Sequence, residues 1–171
     1  MTPIYVDATT LIGLGTIGEL RLLESVEGQL IILPSIRAEV TSEPAKTSLE
    51  RFIEHPDVTT SPPRSLDEAQ AMELLDEREG TGDTRLIGAV LAHTAADERV
   101  GIVSDDRRMR TVSRGLGATV TGTIGVVVRA VDAGRSPDEG TEILRQLDEH
   151  GLHMTAQLRE KAEQLIASAG S

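Results

Sequence analysis

The residues of this chain best placed to do chemistry are carboxylates that directly follow short apolar runs. Asp7 follows Pro3-Ile4-Tyr5-Val6, and Asp105 and Asp106 follow Val100-Gly101-Ile102-Val103 and Ser104. Ligands of parallel sheets bind in the crevice outside the carboxyl ends of the strands, so two strands would bring acids to one edge. Taken singly, each acid also fits as a helix cap or first-turn residue. Glu39 falls one turn into a short helix expected after Leu33-Pro34-Ser35, where plain solvent exposure is the ordinary alternative. Asp83 follows Gly80-Thr81-Gly82 at the opening of a helix, where capping is the ordinary alternative. Together these acids occupy four separate elements, and the chain has no cysteine to compete as a ligand. An all-oxygen set suits Mg²⁺ or Mn²⁺ rather than Zn²⁺. Clustered carboxylates cannot stay ionised together without a cation, and the chemistry implied is metal-assisted hydrolysis of a phosphodiester.

The elements that must position these acids read as strands alternating with helices. That pattern predicts an α/β fold, a central parallel sheet flanked by helices in three layers. Strands are expected at 3–6, 30–33, 100–103 and 118–121. Helices are expected at 9–26, 35–42, 46–54, 65–79, 83–97, 106–115 and 123–133. Ser65 and Glu68 have capping-box spacing for the fourth helix, with Gly80 as its stop. Near Gly134-Arg135-Ser136-Pro137 a boundary is expected, with Ser136 as a cap. This divides the chain into a catalytic domain, 1–134, and a helical extension, 135–171. The extension would pack on the domain or on a partner through Ile143, Leu144 and Leu147 and through Leu158, Leu165 and Ile166.

The motifs resemble PIN-domain ribonucleases, and more closely the toxin-like members typified by VapC. The resemblance runs over most of residues 3–134. Ile4-Tyr5-Val6-Asp7-Ala8-Thr9 is similar to the opening strand and its Asp-x-Ser/Thr, Leu33 to Val40 to the second motif, and Gly82-Asp83 to the acidic third. Most specific is Ile102-Val103-Ser104-Asp105-Asp106-Arg107, continuing to Val120-Thr121-Gly122-Thr123-Ile124-Gly125. That run resembles a subgroup with Asp-Asp-Arg and a Thr-Gly-Thr-x-Gly turn. The resemblance implies a Mg²⁺- or Mn²⁺-dependent endoribonuclease in which Asp7, Glu39, Asp83 and Asp105 bind metal and Asp106 is an extra member. Thr9 and Ser104 would support the site, Thr9 by holding a ligand or a metal-bound water. The expected partners are RNA, a second copy of the chain as a homodimer, and a protein antitoxin if the protein is the toxin of such a pair. Relatives of the subgroup usually have Gly-Glu where this chain has Gly82-Asp83, so the shorter Asp83 would reach a metal only through water.

Charge bears on the substrate. Against 28 Asp and Glu stand 17 Lys and Arg, a net charge of −11, and only Lys46 and Lys161 are lysines. Such a surface repels nucleic acid unless metal ions or a local basic patch reverse it, and adaptation to high salt is another cause of the composition. Residues 99–129 supply such a patch, with six arginines (99, 107, 108, 110, 114, 129) against two aspartates. Arg107, Arg110 and Arg114 share a helix face beside Arg108, which suits phosphate binding and equally suits salt bridges within the chain. With Tyr5 and Phe52 the only aromatics, base stacking contributes little. His150 and His153, at i, i+3 around Gly151, read as surface residues. No apolar run reaches the ~20 residues of a membrane span, and Met1 is not followed by a basic leader, so a cytoplasmic location is expected. Two other readings remain: a decayed PIN-fold module that binds RNA or protein, and a haloacid-dehalogenase-like phosphatase, which lacks its second Asp because Thr9 stands there.

Overall fold

A computed structural model describes residues 1–170. Five short parallel strands make the sheet among the described residues: β1 (Pro3–Val6), β2 (Gln29–Ile31), β3 (Val58–Thr59), β4 (Gly101–Val103) and β5 (Thr119–Thr121). Their order is β3-β2-β1-β4-β5. The chain builds outward from β1 on one side, then crosses to β4 and builds outward on the other. The reversal therefore falls between β1 and β4, whose register pairs Val6 with Val103. Burial of β1 and β4 on both faces explains their apolar character. β3 was not expected. Its two residues are too few to show a period, and its place is fixed by pairing, with Ile32 N–H donating to Thr59 O at 2.9 Å.

Helices cover both faces, which makes the three layers. On one side lie α1 (Ala8–Thr16), α3 (Ala45–Ile53) and α7 (Thr123–Asp132), and on the other α4 (Glu68–Leu75), α5 (Gly82–Ala95) and α6 (Arg107–Gly115). The short α2 (Pro34–Glu39) sits at the end of β2 and touches both α1 and α5. A single helix over 9–26 is not formed. α1 closes at Gly18, whose φ of +72° favours glycine, and a 3-10 segment, Leu20–Ser25, follows. The cap at Ser65 is also replaced: Asp67 accepts the Gln70 N–H and starts α4, while the Glu68 carboxylate pairs with Arg85. α4 stops at Asp76, in the left-handed region at φ 54°, well before Gly80.

Beyond the expected boundary, Ser136 caps α8 (Pro137–Glu149) by accepting the Glu139 N–H, and α9 (Ala156–Ala169) follows. Ile143, Leu144, Leu147, Ala162 and Ile166 belong to the same apolar core as the strands. Gly140 makes this possible, because a Cβ there would lie 2.7 Å from Val131 on α7 and 3.1 Å from Ile166 on α9. The expected face of α9 is corrected: Ala162 and Ile166 are buried, whereas Leu158 and Leu165 are 43% and 45% exposed. No described helix is long and apolar enough to cross a membrane.

A chain of polar groups braces β1 from below. Tyr5, fully buried, lies with its hydroxyl 2.8 Å from Nε2 of the buried His93, whose Nδ1 is 3.0 Å from Glu98 Oε1. Glu98 is also held by Arg64. Hydrogen bonds from Arg64 and His93 draw the Glu98 carboxyl down to about 2, and burial together with the Glu98 charge pushes the Tyr5 phenol up to about 12. His93→Leu should therefore cost about 1–3 kcal/mol in urea unfolding, because it strands the Tyr5 hydroxyl in the core. Adding Tyr5→Phe should recover part of that loss. An unchanged unfolding midpoint for His93→Leu would show that the chain of contacts does not brace the sheet.

Candidate active site

The pairing of β1 with β4 sets Asp7 beside Ser104. Asp7 N–H donates to Val103 O and Ser104 N–H to Thr121 O, each at 2.9 Å. With an extended backbone Asp7 caps α1, its Oδ1 accepting the Ala8 N–H at 2.7 Å and its Oδ2 the Ser104 hydroxyl at 2.6 Å. Ser104 Oγ in turn accepts the Asp106 N–H at 3.1 Å. One fully buried hydroxyl thus fixes two acids. Asp106 caps α6 by accepting the Met109 N–H at 2.9 Å. Asp105 serves α7 instead. Gly122 has no side chain to cap that helix, and the Asp105 carboxylate accepts both the Thr123 N–H, at 2.8 Å, and the Thr123 hydroxyl. That hydroxyl also lies 3.2 Å from Thr10 Oγ1.

Glu39 and Asp83 face this edge from α2 and α5. Thr81, not Asp83, caps α5 through a reciprocal box with Thr84, so Asp83 is released from the role a helix start would give it. The Glu39 carboxylate occupies the space a side chain at Gly82 would need: a Cβ there would lie 2.8 Å from both its oxygens. Among the described residues, neither Glu39 nor Asp83 has a hydrogen-bond or ion-pair partner for its carboxylate.

The electrostatics join four of the acids. Burial raises the Asp7 carboxyl, partly offset by its bonds from Ser104 and Ala8, and Asp106 and Asp105 raise it further. Burial, then Asp7 and Asp83, raise Glu39. Burial, then Asp7 and Asp106, raise Asp83, with Arg108 opposing. Asp7, Glu39, Asp83 and Asp106 therefore share one field, and Asp105 stands at its margin. Among the described residues no three carboxylates or histidines are drawn close enough to form a ready cation cage. The donor set nevertheless fits a hard divalent cation: every group is an oxygen donor, two are unpartnered, and a cation would relieve the repulsion that raises the three carboxyls. Glycine at position 82 leaves Glu39 the room to take part.

The arginines divide. Arg108 donates to Leu75 O at 2.5 Å and pairs with Glu77, holding the end of α4. Arg110 donates to Ser104 O at 2.9 Å, with its guanidinium packed against Gly122. Both are engaged because α6 turns Met109 and Ser113 inward and leaves these neighbours flanking the sheet edge. Arg107 and Arg114 are exposed and have no partner among the described residues. Arg107 lines a cleft of about 600 Å³ together with Thr9, Asp105 and Asp106, and Leu147 and His150 form its far wall. The Thr9 side chain is exposed there and its hydroxyl has no partner among the described residues, whereas the hydroxyls that hold Asp105 in place are those of Thr123 and, behind it, Thr10. Sequence reasoning assigned no role to Thr10, Thr123 or Gly82, although the Thr121-Gly122-Thr123 turn and Gly82-Asp83 both stood out as motifs.

A family model described as a PIN domain matches residues 3–168, which takes in α8 and all of α9 but its last residue. No curated protein and no solved structure gives a significant match. The parallel sheet, with acids at the carboxyl ends of β1 and β4 on either side of its switch point, agrees with that match, and the chain belongs to the PIN-domain family.

Proposed function

We propose that this protein is a metal-dependent endoribonuclease that hydrolyses RNA phosphodiesters. The observation that carries the proposal is the field shared by Asp7, Glu39, Asp83 and Asp106, in which burial and mutual repulsion hold three carboxyls above their usual range beside two unpartnered side chains. PIN-fold proteins are generally metal-dependent nucleases, and this donor set suits that chemistry. Mg²⁺ or Mn²⁺ would be held by Asp7, Glu39, Asp83 and Asp106, with Asp105 alongside, and when bound supplies an acidified water and charge neutralisation at the phosphoryl oxygens. The residues of the chain do the rest. Ser104 orients Asp7, Glu39 and Asp83 have free oxygens to accept a proton from the attacking water, and Arg107 and Arg114 offer guanidinium groups to the phosphates. The similarity of the Ser104-Asp105-Asp106-Arg107 run to VapC-like proteins supports a toxin role, with a protein antitoxin and a homodimer as the assembly.

Asp7→Asn should abolish RNA cleavage and the rise in melting temperature on adding Mn²⁺, while its chelator-treated form melts at or above the parent temperature. Cleavage that survives in both Asp7→Asn and Asp106→Asn would sink the proposal. Gly82→Ala tests the space kept for Glu39: the new Cβ displaces that carboxylate, so metal-induced stabilisation should fall at least tenfold in apparent affinity. Folding stability in chelator should change by less than ~1 kcal/mol, since Ala is the better helix residue.

The effect of pH follows from the raised carboxyls. A group whose folded pKa lies above its unfolded value destabilises the fold when ionised, and this cost fades as pH falls through the folded pKa toward the ordinary value of about 4. In chelator, the melting advantage of Asp7→Asn over the parent should therefore shrink as pH is lowered from neutral toward about 4. A gap that widens over that interval would show that Asp7 is stabilised, not strained, by its neighbours.

A further inference from the structure

The second wall of the cleft comes from outside the strand-and-helix unit that carries the acids. Leu147, fully buried near the end of α8, reaches α1 at Gly13, where a Cβ would lie 3.7 Å from Leu147 Cδ2. The chain then reverses at Gly151, whose φ of +116° favours glycine. The reversal is tied down at several points. His150 N–H donates to Gln146 O at 3.0 Å, and Leu152 N–H to Leu147 O at 2.9 Å. Asp148 accepts the Met154 N–H at 3.4 Å and the Arg159 guanidinium at 2.8 Å. Such bracing gives His150 a defined position across from Asp105, Asp106 and Arg107.

His150 and Arg107 both line this cleft, and each can donate to an anion within it. Both are exposed, and neither side chain has a partner among the described residues. Imidazole keeps an N–H donor in either charge state, and guanidinium offers a planar fork suited to phosphate oxygens. In a chain of net charge −11, a strand of RNA entering between carboxylates needs donors of this kind at the entrance.

We infer that His150, brought to the cleft by the α8–α9 reversal, forms with Arg107 a clamp on a backbone phosphate of the RNA that flanks the cleavage point. The clamp rests on the nuclease reading and adds a substrate-binding residue from the C-terminal helical pair. It also gives that pair a role in function beyond packing, since removing α8 would remove one jaw.

Binding of a fluorescent single-stranded RNA oligonucleotide by the full-length Asp7→Asn protein, measured at several salt concentrations, tests the clamp. On that background His150→Ala should weaken binding about tenfold, as expected for a hydrogen bond to a charged group, and His150→Arg should restore it. Arg107→Gln should lower the slope of log affinity against log salt by about one unit. Melting temperatures of all three should match the Asp7→Asn parent. In the otherwise wild-type chain, His150→Ala should raise KM more than it lowers kcat. If the parent cleaves RNA and Asp7→Asn binds it, but His150→Ala binds with undiminished affinity, the clamp is wrong and the nuclease reading stands. Should the parent neither bind nor cleave RNA, the nuclease reading falls and takes the clamp with it.

Discussion

The parallel pairing of β1 with β4 is the constraint from which the site follows. Because Val6 lies opposite Val103, the next residues on the two strands are Asp7 and Ser104, and the buried serine hydroxyl can donate to one acid while accepting the amide of another. A slip of one residue would turn both side chains to the opposite faces of the sheet and scatter the acids. The polar chain from Tyr5 through His93 to Glu98 holds the same strand from beneath, so β1 is fixed by side-chain bonds as well as by its ladders.

Gathering carboxylates at one edge raises their energy, and the fold offsets this mainly with hydrogen-bond donors, with Arg108 acting on Asp83 alone. Asp7 and Asp106 each accept an amide at the start of a helix, where the peptide dipoles also favour negative charge. Asp105 receives two bonds from Thr123 and so joins the end of β4 to the start of α7. Glu39 and Asp83 receive none. The site therefore has a fixed half, tied into the backbone, and a free half, two carboxylates whose repulsion is relieved only by a proton or a cation. Free donor atoms at one side of a rigid frame suit a reaction in which a water must be oriented and lose a proton.

The two C-terminal helices change how the cleft is understood. Gly140 lets α8 approach α7 and α9 closely, Gly13 meets Leu147, and the resulting contacts make α8 a wall of the same cleft that holds Asp105 and Asp106. Apolar burial of Leu144, Leu147 and Ile166 within the main core couples this wall to the sheet. Leu158 and Leu165, partly exposed, line a second cavity that they share with Ile124 and Val128 of α7.

How much the sequence determined can be followed residue by residue. Apolar runs ending in acids located β1, β4 and the edge where Asp7, Asp105 and Asp106 stand, because strands buried on both faces need uninterrupted apolar residues. The Ser136-Pro137 start of α8 was equally legible, since a cap acts within one turn. Tertiary structure decided what depends on distant partners. β3 exists only through its pairing with β2, and Asp67 displaces Ser65 as the cap of α4. The spacing of Arg107, Arg110 and Arg114 could not reveal that Arg110 bonds a strand carbonyl and Arg108 a neighbouring helix, because α6 is rotated by the burial of Met109 and Ser113. Nor could spacing separate Asp105 from Asp106. Both act on Asp7, but one binds Thr123 while the other also acts on Asp83, a difference set by how β4, α6 and α7 meet in space and not by any property of two adjacent aspartates.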